Sequence, residues 1–180
     1  SKLAPLPWYS VHLGRENMNL HSVQAWFQNR TLRLVAELSM TGYELGPEGA
    51  RALAESPYVQ NVRELHLNNN RLGSQGAMYL ARSESLRNLK SLTLTINQIG
   101  DEGARALAHS PNVQHVLKLN LGFNQIGDAG VQALADSPWT GSLTKLFLYG
   151  NEIGEQGAKA LASCRRWKHL VSLHLSDNQI

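Results

Sequence analysis

The side chains that could bind a metal ion or act as nucleophiles are few and widely spaced. The chain has seven histidines and a single cysteine, Cys164. His66 and His174 lie too far apart in the sequence to suggest a shared ion, and no Cys, Asp or Glu cluster accompanies either one at the spacing that metal ligands need. A Ser-His-Asp triad has candidates only in composition. The sequence therefore predicts no metal site, no cofactor and no active site.

Five pairs of glycines recur at a fixed spacing and could suggest a phosphate-binding loop. The pairs are Gly46/Gly49, Gly73/Gly76, Gly100/Gly103, Gly127/Gly130 and Gly154/Gly157. A phosphate loop would continue with Gly-Lys-Ser or Gly-Lys-Thr, which follows none of the pairs. Their recurrence favours a structural role, in which one glycine permits the turn into a helix and the other permits close helix packing.

Residues 26–30, WFQNR, match the core of a homeodomain recognition helix, in which the asparagine reads adenine. The basic tail expected after that motif is replaced by the sequence TLRLV. The net charge of +3 is also small for a nucleic-acid-binding domain. We therefore predict no nucleic-acid binding and expect Trp26 and Phe27 to lie in the core.

The glycine pairs belong to a phrase of 27 residues that occurs five times. Its clearest copies read Leu-x-Leu-x-x-Asn-x-Ile-Gly-x-x-Gly-Ala-x-x-Leu-Ala. A period in this range is typical of a solenoid, in which each unit buries its apolar face only against its neighbours.

Within each copy the hydrophobic period changes from two to 3.6. Leu119 and Leu121 alternate with polar residues, which predicts a short strand with both leucines inward. Val131 and Leu134 then share one face of a helix. The same strand positions recur at Leu38/Met40, Leu65/Leu67, Leu92/Leu94, Leu146/Leu148 and Leu173/Leu175. A strand and a helix repeated in one direction predict a parallel sheet with the helices on one side.

The two layers differ in natural spacing, so the array must bend. Parallel strands lie about 4.8 Å apart, whereas packed helices need about 8–10 Å between their axes. The sequence therefore predicts a curved α/β solenoid with a concave sheet and convex helices.

The phrase Leu121-x-x-Asn124-x-Ile126-Gly127 and its copies resemble a leucine-rich repeat. The resemblance is to the helix-containing type found in ribonuclease inhibitor and Ran GTPase-activating protein. The Gly-Ala-x-x-Leu-Ala-x-Ser-Pro stretches resemble bacterial arrays of that type. The resemblance implies a horseshoe-shaped fold, and it implies relatives that are mostly intracellular. With the single cysteine, it favours a cytoplasmic protein.

The resemblance also implies a structural role for the recurring asparagine, whose side chain would bond to backbone groups and form a ladder along the solenoid. The residues at this position are Asn70, Asn97, Asn124, Asn151 and Asn178. Tyr43 occupies the same position in the first full repeat, which predicts a wider and more exposed turn there.

Two segments are expected. Residues 1–31 form a degenerate repeat or an N-terminal cap, with Val11 and Leu13 at the strand positions, Met18 at the Ile position, and Val23, Trp26 and Phe27 on the helix face. Residues 32–180 form the array, which stops in mid-repeat at Ile180 and should leave an apolar edge that promotes association. No apolar run approaches the roughly 18 residues that span a membrane.

Function is expected on the outward strand residues, because the inward positions are occupied by the core. One outward column changes from acidic to basic along the array and reads Glu37, Glu64, Ser91, Lys118, Lys145 and Ser172. Aromatic side chains lie beside the lysines, and Gly122 leaves room for them. This pattern predicts a protein-binding site of Lys118, Asn120, Lys145, Phe147 and Tyr149.

Alternatives remain at this stage. Phe147 and Tyr149 could only shield neighbouring strands, and Ile96 and Phe123 could either extend the site or tuck toward the turn. The predicted function is a non-catalytic scaffold for protein–protein interaction. The alternative is a regulatory arm of an enzyme system, such as a GTPase regulator resembling Ran GTPase-activating protein.

Overall fold

A computed structural model describes residues 10–12 and 20–180 of the chain. Within these residues seven short strands form one parallel sheet, in which each strand pairs with the next along the chain. The pairing register equals one repeat, so that Leu119 lies opposite Leu146. The strands are β1 Ser10–His12, β2 Glu37–Ser39, β3 Glu64–His66, β4 Ser91–Thr93, β5 Lys118–Asn120, β6 Lys145–Phe147 and β7 Ser172–His174.

Six helices alternate with the strands in the described part of the chain and stack in chain order on one side of the sheet. They are α1 Leu20–Phe27, α2 Gly46–Glu55, α3 Gly73–Arg82, α4 Gly100–Ala108, α5 Asp128–Asp136 and α6 Glu155–Ser163. Short 3₁₀ helices span Arg30–Leu34, Glu84–Leu86 and Pro138–Ser142. None of the described helices has both the length and the apolar character needed to cross a bilayer. The predicted α/β solenoid is confirmed.

The core lies between the sheet and the helices, as the change of period predicts. The inward strand residues of β2 to β6 and the apolar helix positions are buried. Leu173 of β7 is 37% exposed, because no described repeat packs on the outer side of that strand. Ile180 and Val171 are exposed at the same end. That this apolar edge promotes association stays a prediction.

The N-terminal segment follows the repeat register. Strand β1 pairs with β2, and α1 packs on α2. Val23 and Phe27 are buried, and Trp26 is half-buried against the core. The Asn29 side chain accepts the backbone N–H of Thr31 and so caps a 3₁₀ helix. Leu13 and Met18 lie outside the described residues, and the choice between a degenerate repeat and a cap stays a prediction.

From Asn70 onward, one asparagine in each repeat bonds to the backbone of two repeats, and all of these asparagines except Asn178 are buried. Oδ1 of Asn124 accepts the N–H groups of Asn97 at 2.9 Å and Ile99 at 3.4 Å. Its Nδ2 donates to the carbonyls of Leu94 at 2.9 Å and Gly122 at 3.0 Å. All the donors and acceptors of this amide are therefore used, as a buried amide requires. Equivalent bonds are made by Asn70, Asn97 and Asn151, and in part by Asn178.

The prediction of a wider turn at Tyr43 is wrong. The N–H groups of Tyr43 and Leu45 donate to Oδ1 of Asn70 at 3.0 Å and 3.4 Å, as in the later repeats. The reason is that the amide bonding to a turn's N–H groups comes from the following repeat, so the turn does not need an asparagine of its own for these bonds. The predicted greater exposure is present, because the Tyr43 side chain is half-buried whereas Asn70, Asn97, Asn124 and Asn151 are buried.

The predicted turn role of the first glycine of each pair holds in three repeats and fails in two. Gly46, Gly73 and Gly100 have φ between 61° and 63°, a region that favours glycine. Gly127 and Gly154 instead have extended backbone, with φ −97° and ψ −164°. In these two repeats an aspartate of the preceding helix accepts the glycine N–H, so the turn takes a different form.

Asp101 and Asp128 each cap the helix of the next repeat. Oδ1 of Asp101 accepts the N–H groups of Gly127 at 2.7 Å and Gly130 at 2.9 Å. Asp128 makes the equivalent bonds to the next repeat. A carboxylate at this place satisfies helix N–H groups that have no partner inside their own helix, and it interacts favourably with the helix dipole.

The second glycine allows the helices to pack closely in four of the five pairs, as predicted, whereas the atoms nearest to Gly49 belong to Leu45 of its own repeat. A Cβ on Gly76 would lie 3.3 Å from Cβ of Ala50, and a Cβ on Gly130 would lie 3.1 Å from Cβ of Ala104. A Cβ at either position would also crowd a side chain of its own repeat, Leu72 for Gly76 and Ile126 for Gly130. A larger residue would therefore push neighbouring repeats apart.

Replacing Asn124 by Ala should lower the free energy of unfolding by about 3 kcal/mol, because several buried backbone groups lose their partners at about 1–3 kcal/mol each. Urea unfolding followed by circular dichroism measures the loss. Asn88→Ala is the control, since Asn88 is exposed and its side chain donates to the carbonyl of Gln60 alone. A loss no greater than the control's would contradict the structural role of Asn124.

Replacing Asp101 by Ala should destabilise the fold by about 1 kcal/mol, the typical cost of a lost helix cap. Asp101→Asn keeps an acceptor oxygen and should recover part of that loss. Glu102→Ala makes the same charge change on an exposed neighbour in the same helix turn and should change stability by less than about 0.5 kcal/mol. Equal losses for Asp101→Ala and Glu102→Ala in urea unfolding would refute the capping role.

Candidate functional site

The outward residues of the strands form columns across the concave sheet. The pairing register places Lys118 opposite Lys145, and it places Asn120 opposite Phe147. Phe147 in turn lies opposite His174. The predicted site residues of β5 and β6 are thus brought together on neighbouring strands, and Tyr149 lies two residues beyond the end of β6.

Two aromatic rings lie on the backbone of glycines in the neighbouring repeat. The Tyr149 ring covers Gly122, where a Cβ would lie 2.6 Å from two of its ring carbons. The Phe123 ring covers Gly150 in the same way. The two rings meet edge to face, with centroids 5.4 Å apart and planes at 80°. The room that Gly122 leaves is therefore filled by Tyr149, and the two rings support each other.

Asn120 fixes the position of Tyr149. Its Oδ1 accepts the N–H of Gly122 at 3.0 Å, and its Nδ2 donates to the Tyr149 hydroxyl at 3.4 Å. Asn120 is half-buried between the strands. Its role in the candidate site is to orient a ring that remains partly accessible.

Phe147 stacks on the opposite side, against β7. Its ring and that of His174 are 4.7 Å apart and nearly parallel, at 25°. His174 is exposed, and its Nε2 lies 2.8 Å from Oγ of Ser172. Phe147 therefore extends the aromatic surface toward the last strand.

Ile96 and Phe123 are half exposed and do not tuck into the turn. Their exposed fractions are 51% and 49%, and both residues have left-handed backbone, with φ 58° and 53°. Branched and bulky residues are rare in this conformation. The equivalent residues of the other repeats are Gly42, Asn69, Gly150 and Asp177, which are types that tolerate it. This contrast between repeats is the sequence signal that could have identified both residues.

The two lysines of the predicted site are exposed, and no ion pair involves them in the described part of the chain. Within residues 20–180 neither Lys118 nor Lys145 forms an ion pair or a cation–π contact. The ion pairs of this part of the chain involve other groups, such as Glu37 with His66 at 3.7 Å on the same face of the sheet. The cation–π contacts found, Arg33 over Tyr58 and Arg51 over Tyr79, involve other residues.

Cys164 and His66, which the sequence offers as candidates for chemistry, make hydrogen bonds within the repeat scaffold. Sγ of Cys164 donates to the carbonyl of Ala135 at 3.2 Å, the same bond that Oγ of Ser137 makes one repeat earlier. Nδ1 of His66 lies 3.1 Å from Oγ1 of Thr93. Among the residues that the structure describes, no three His, Cys, Asp or Glu side chains are placed to hold a metal ion.

A family model described as "Leucine Rich repeat" matches residues 60–81, 85–108, 114–135, 142–162 and 168–180. No curated protein matches the chain. Among solved structures 86 chains match. One of them is titled "Leiomodin-1 Actin-Binding Site 2 (ABS2)", with 16% identity, a TM-score of 0.45, and coverage of 88% of this chain and 80% of that chain. This likeness concerns the fold alone.

Replacing Gly122 by Ala should displace the Tyr149 ring without unfolding the chain, since Gly122 does not have the positive φ that would strain an alanine. The NMR signals of the Phe123 ring report the change, because they depend on the facing ring. Thr95→Ala is the control, as it alters the same outward column without touching Tyr149. Unchanged Phe123 signals in the Gly122→Ala variant would contradict the described packing.

Proposed function

Because this chain belongs to the leucine-rich repeat family, whose domains typically mediate protein binding, we propose that it is a non-catalytic scaffold that binds a protein partner on its concave sheet. Each repeat contains a helix, so the array is of the ribonuclease-inhibitor-like type. The matches give no support to the narrower resemblance to bacterial arrays. The proposed site consists of Lys118, Asn120, Lys145, Phe147 and Tyr149, extended by Ile96 and Phe123.

The observation that carries this proposal is the pair of exposed apolar residues with left-handed backbone. Folding explains only part of Phe123, whose ring rests on Gly150, and does not explain the choice of Ile96, because half of each side chain is in contact with water and the backbone is unfavourable for both. Backbone in such regions costs about 1–3 kcal/mol per residue and is concentrated at functional sites. Other repeats have Gly, Asn or Asp at this position, which lowers the cost. A binding role accounts for what folding does not.

The arrangement of the aromatic rings supports the same conclusion. Tyr149 and Phe123 each rest on a glycine of the neighbouring repeat, so their positions are set before any partner arrives. Rigid aromatic side chains lose little conformational entropy on binding and dominate many protein interfaces. The concave sheet therefore offers a preformed apolar centre with a polar edge at Lys118 and Lys145.

The test compares two variants of the site with a matched control. Ile96→Asn introduces the residue that the preceding repeat has, and Phe147→Ala/Tyr149→Ala removes two aromatic rings. Both should remain folded by circular dichroism, and Ile96→Asn should be more stable than the wild type by about 1 kcal/mol, since the strain is relieved. Both should bind a partner captured by the wild type at least about tenfold more weakly.

Leu34→Asn is the control, because Leu34 is 43% exposed but lies in a 3₁₀ helix, away from the outward columns of the sheet. It should retain full binding. Equal capture of the same partner by the wild type and both site variants would disprove the assigned surface. The alternative of a regulatory arm acting on a GTPase stays a prediction, and stimulated GTP hydrolysis by the captured partner would favour it.

A further inference from the structure

We infer that the segment bound on the concave sheet is acidic: an extended protein segment that places carboxylates over Lys118 and Lys145 and an apolar or aromatic side chain over Tyr149, Phe123 and Ile96. This inference rests on the proposed function and specifies the chemistry of the partner.

The lysine pair has no counter-charge within residues 20–180 and can accept one from a ligand. Lys118 and Lys145 lie directly opposite each other on neighbouring strands, and strands are spaced about 4.8 Å apart. Like charges at opposite positions of a sheet repel each other and destabilise the pairing. No carboxylate in residues 20–180 forms an ion pair with either lysine. A carboxylate of a bound segment would relieve this repulsion.

Acidic residues in the same column disfavour the binding of an acidic segment at the N-terminal end of the sheet. Glu37 and Glu64 occupy the positions of the lysines on β2 and β3, and they lie opposite each other. The uncharged Ser91 separates the acidic pair from the basic pair. An acidic segment is therefore repelled by β2 and β3 and attracted by β5 and β6, and such complementarity fixes position more than it adds affinity.

The distance between the lysines and the rings defines the spacing within the partner. Lys145 and Tyr149 are four residues apart on the same extended strand and loop. At about 3.3 Å per residue this is about 13 Å. An extended partner segment that runs along the strands covers this distance in about four residues. Its acidic and apolar anchors should therefore be about three to five residues apart, in either chain direction.

Single-stranded nucleic acid is the competing ligand, because bases stack on aromatic side chains beside cations. The charges of the sheet argue against it. Its outward column carries two glutamates as well as two lysines, and the whole chain has a net charge of only +3. Nucleic-acid-binding surfaces carry a larger basic patch that neutralises several phosphates. The observations therefore favour an acidic protein segment.

A random dodecapeptide library displayed on phage and selected on the immobilised chain tests the inference. Selected peptides should be enriched in Asp or Glu about three to five residues from an aromatic or large apolar residue. A synthetic copy of the best peptide should bind Lys118→Glu/Lys145→Glu at least about tenfold more weakly. Its affinity should also fall between about 0.1 M and 1 M NaCl, as the Debye length shortens from about 10 Å to 3 Å.

Arg82→Glu/Arg105→Glu is the matched control, with the same charge change on exposed residues of α3 and α4, and it should bind the peptide like the wild type. Peptides that lose binding with Tyr149→Ala but bind the Lys118→Glu/Lys145→Glu variant normally would overturn the inference that the bound segment is acidic. The same result would support the proposed binding surface. Peptides indifferent to both changes, or a selection that yields no binder, would overturn both. If a thymidine oligonucleotide binds the wild type but not the Lys118→Glu/Lys145→Glu variant, the two lysines bind nucleic acid and the inference is overturned.

Discussion

The structure depends on hydrogen bonds in which the buried backbone groups of each repeat find their partners in the repeat that follows. The N–H groups of a turn donate to the side-chain oxygen of the asparagine in the next repeat. The side-chain nitrogen of that asparagine donates in turn to carbonyls of both repeats. A single repeat would have only water as a partner for these groups, and it could not bury them without losing those hydrogen bonds. The array is consequently stable only as a succession of neighbours, and this requirement determines which residues are free for other purposes.

The residues that remain free lie on the outward side of very short strands. Their neighbours in the sheet are always the same positions of adjacent repeats, so a change in one repeat creates a contact with the next. At β5 and β6 this arrangement sets rings on glycines and lysines beside lysines. A rigid scaffold with a locally strained and unneutralised surface is what binding sites require, because the ordering cost is met during folding and not when the partner arrives.

The sequence was sufficient to predict the strands, the helices and the inward residues, because each depends on a hydrophobic period within one repeat. It was also sufficient to place Phe147 and Tyr149 on the outward face. It could not show that Tyr149 covers Gly122 or that the turn at Tyr43 is normal, since both depend on residues one repeat away. The two forms of the glycine turn were missed for the same reason, because an aspartate of the preceding helix selects between them.

The aspartate caps have a consequence for how the array could be rearranged. Gly127 has extended backbone, and its N–H donates to Asp101 of the preceding helix. One repeat earlier, Ser74 takes the place of Asp101, and the N–H of the equivalent glycine, Gly100, donates to the carbonyl of Asn124. A chimera that joined the repeat of Ser74 directly to the repeat of Gly127 would leave that glycine without its acceptor. Neighbouring repeats are therefore matched in pairs at this turn, and a rearranged array would need the glycine to adopt the other form of the turn.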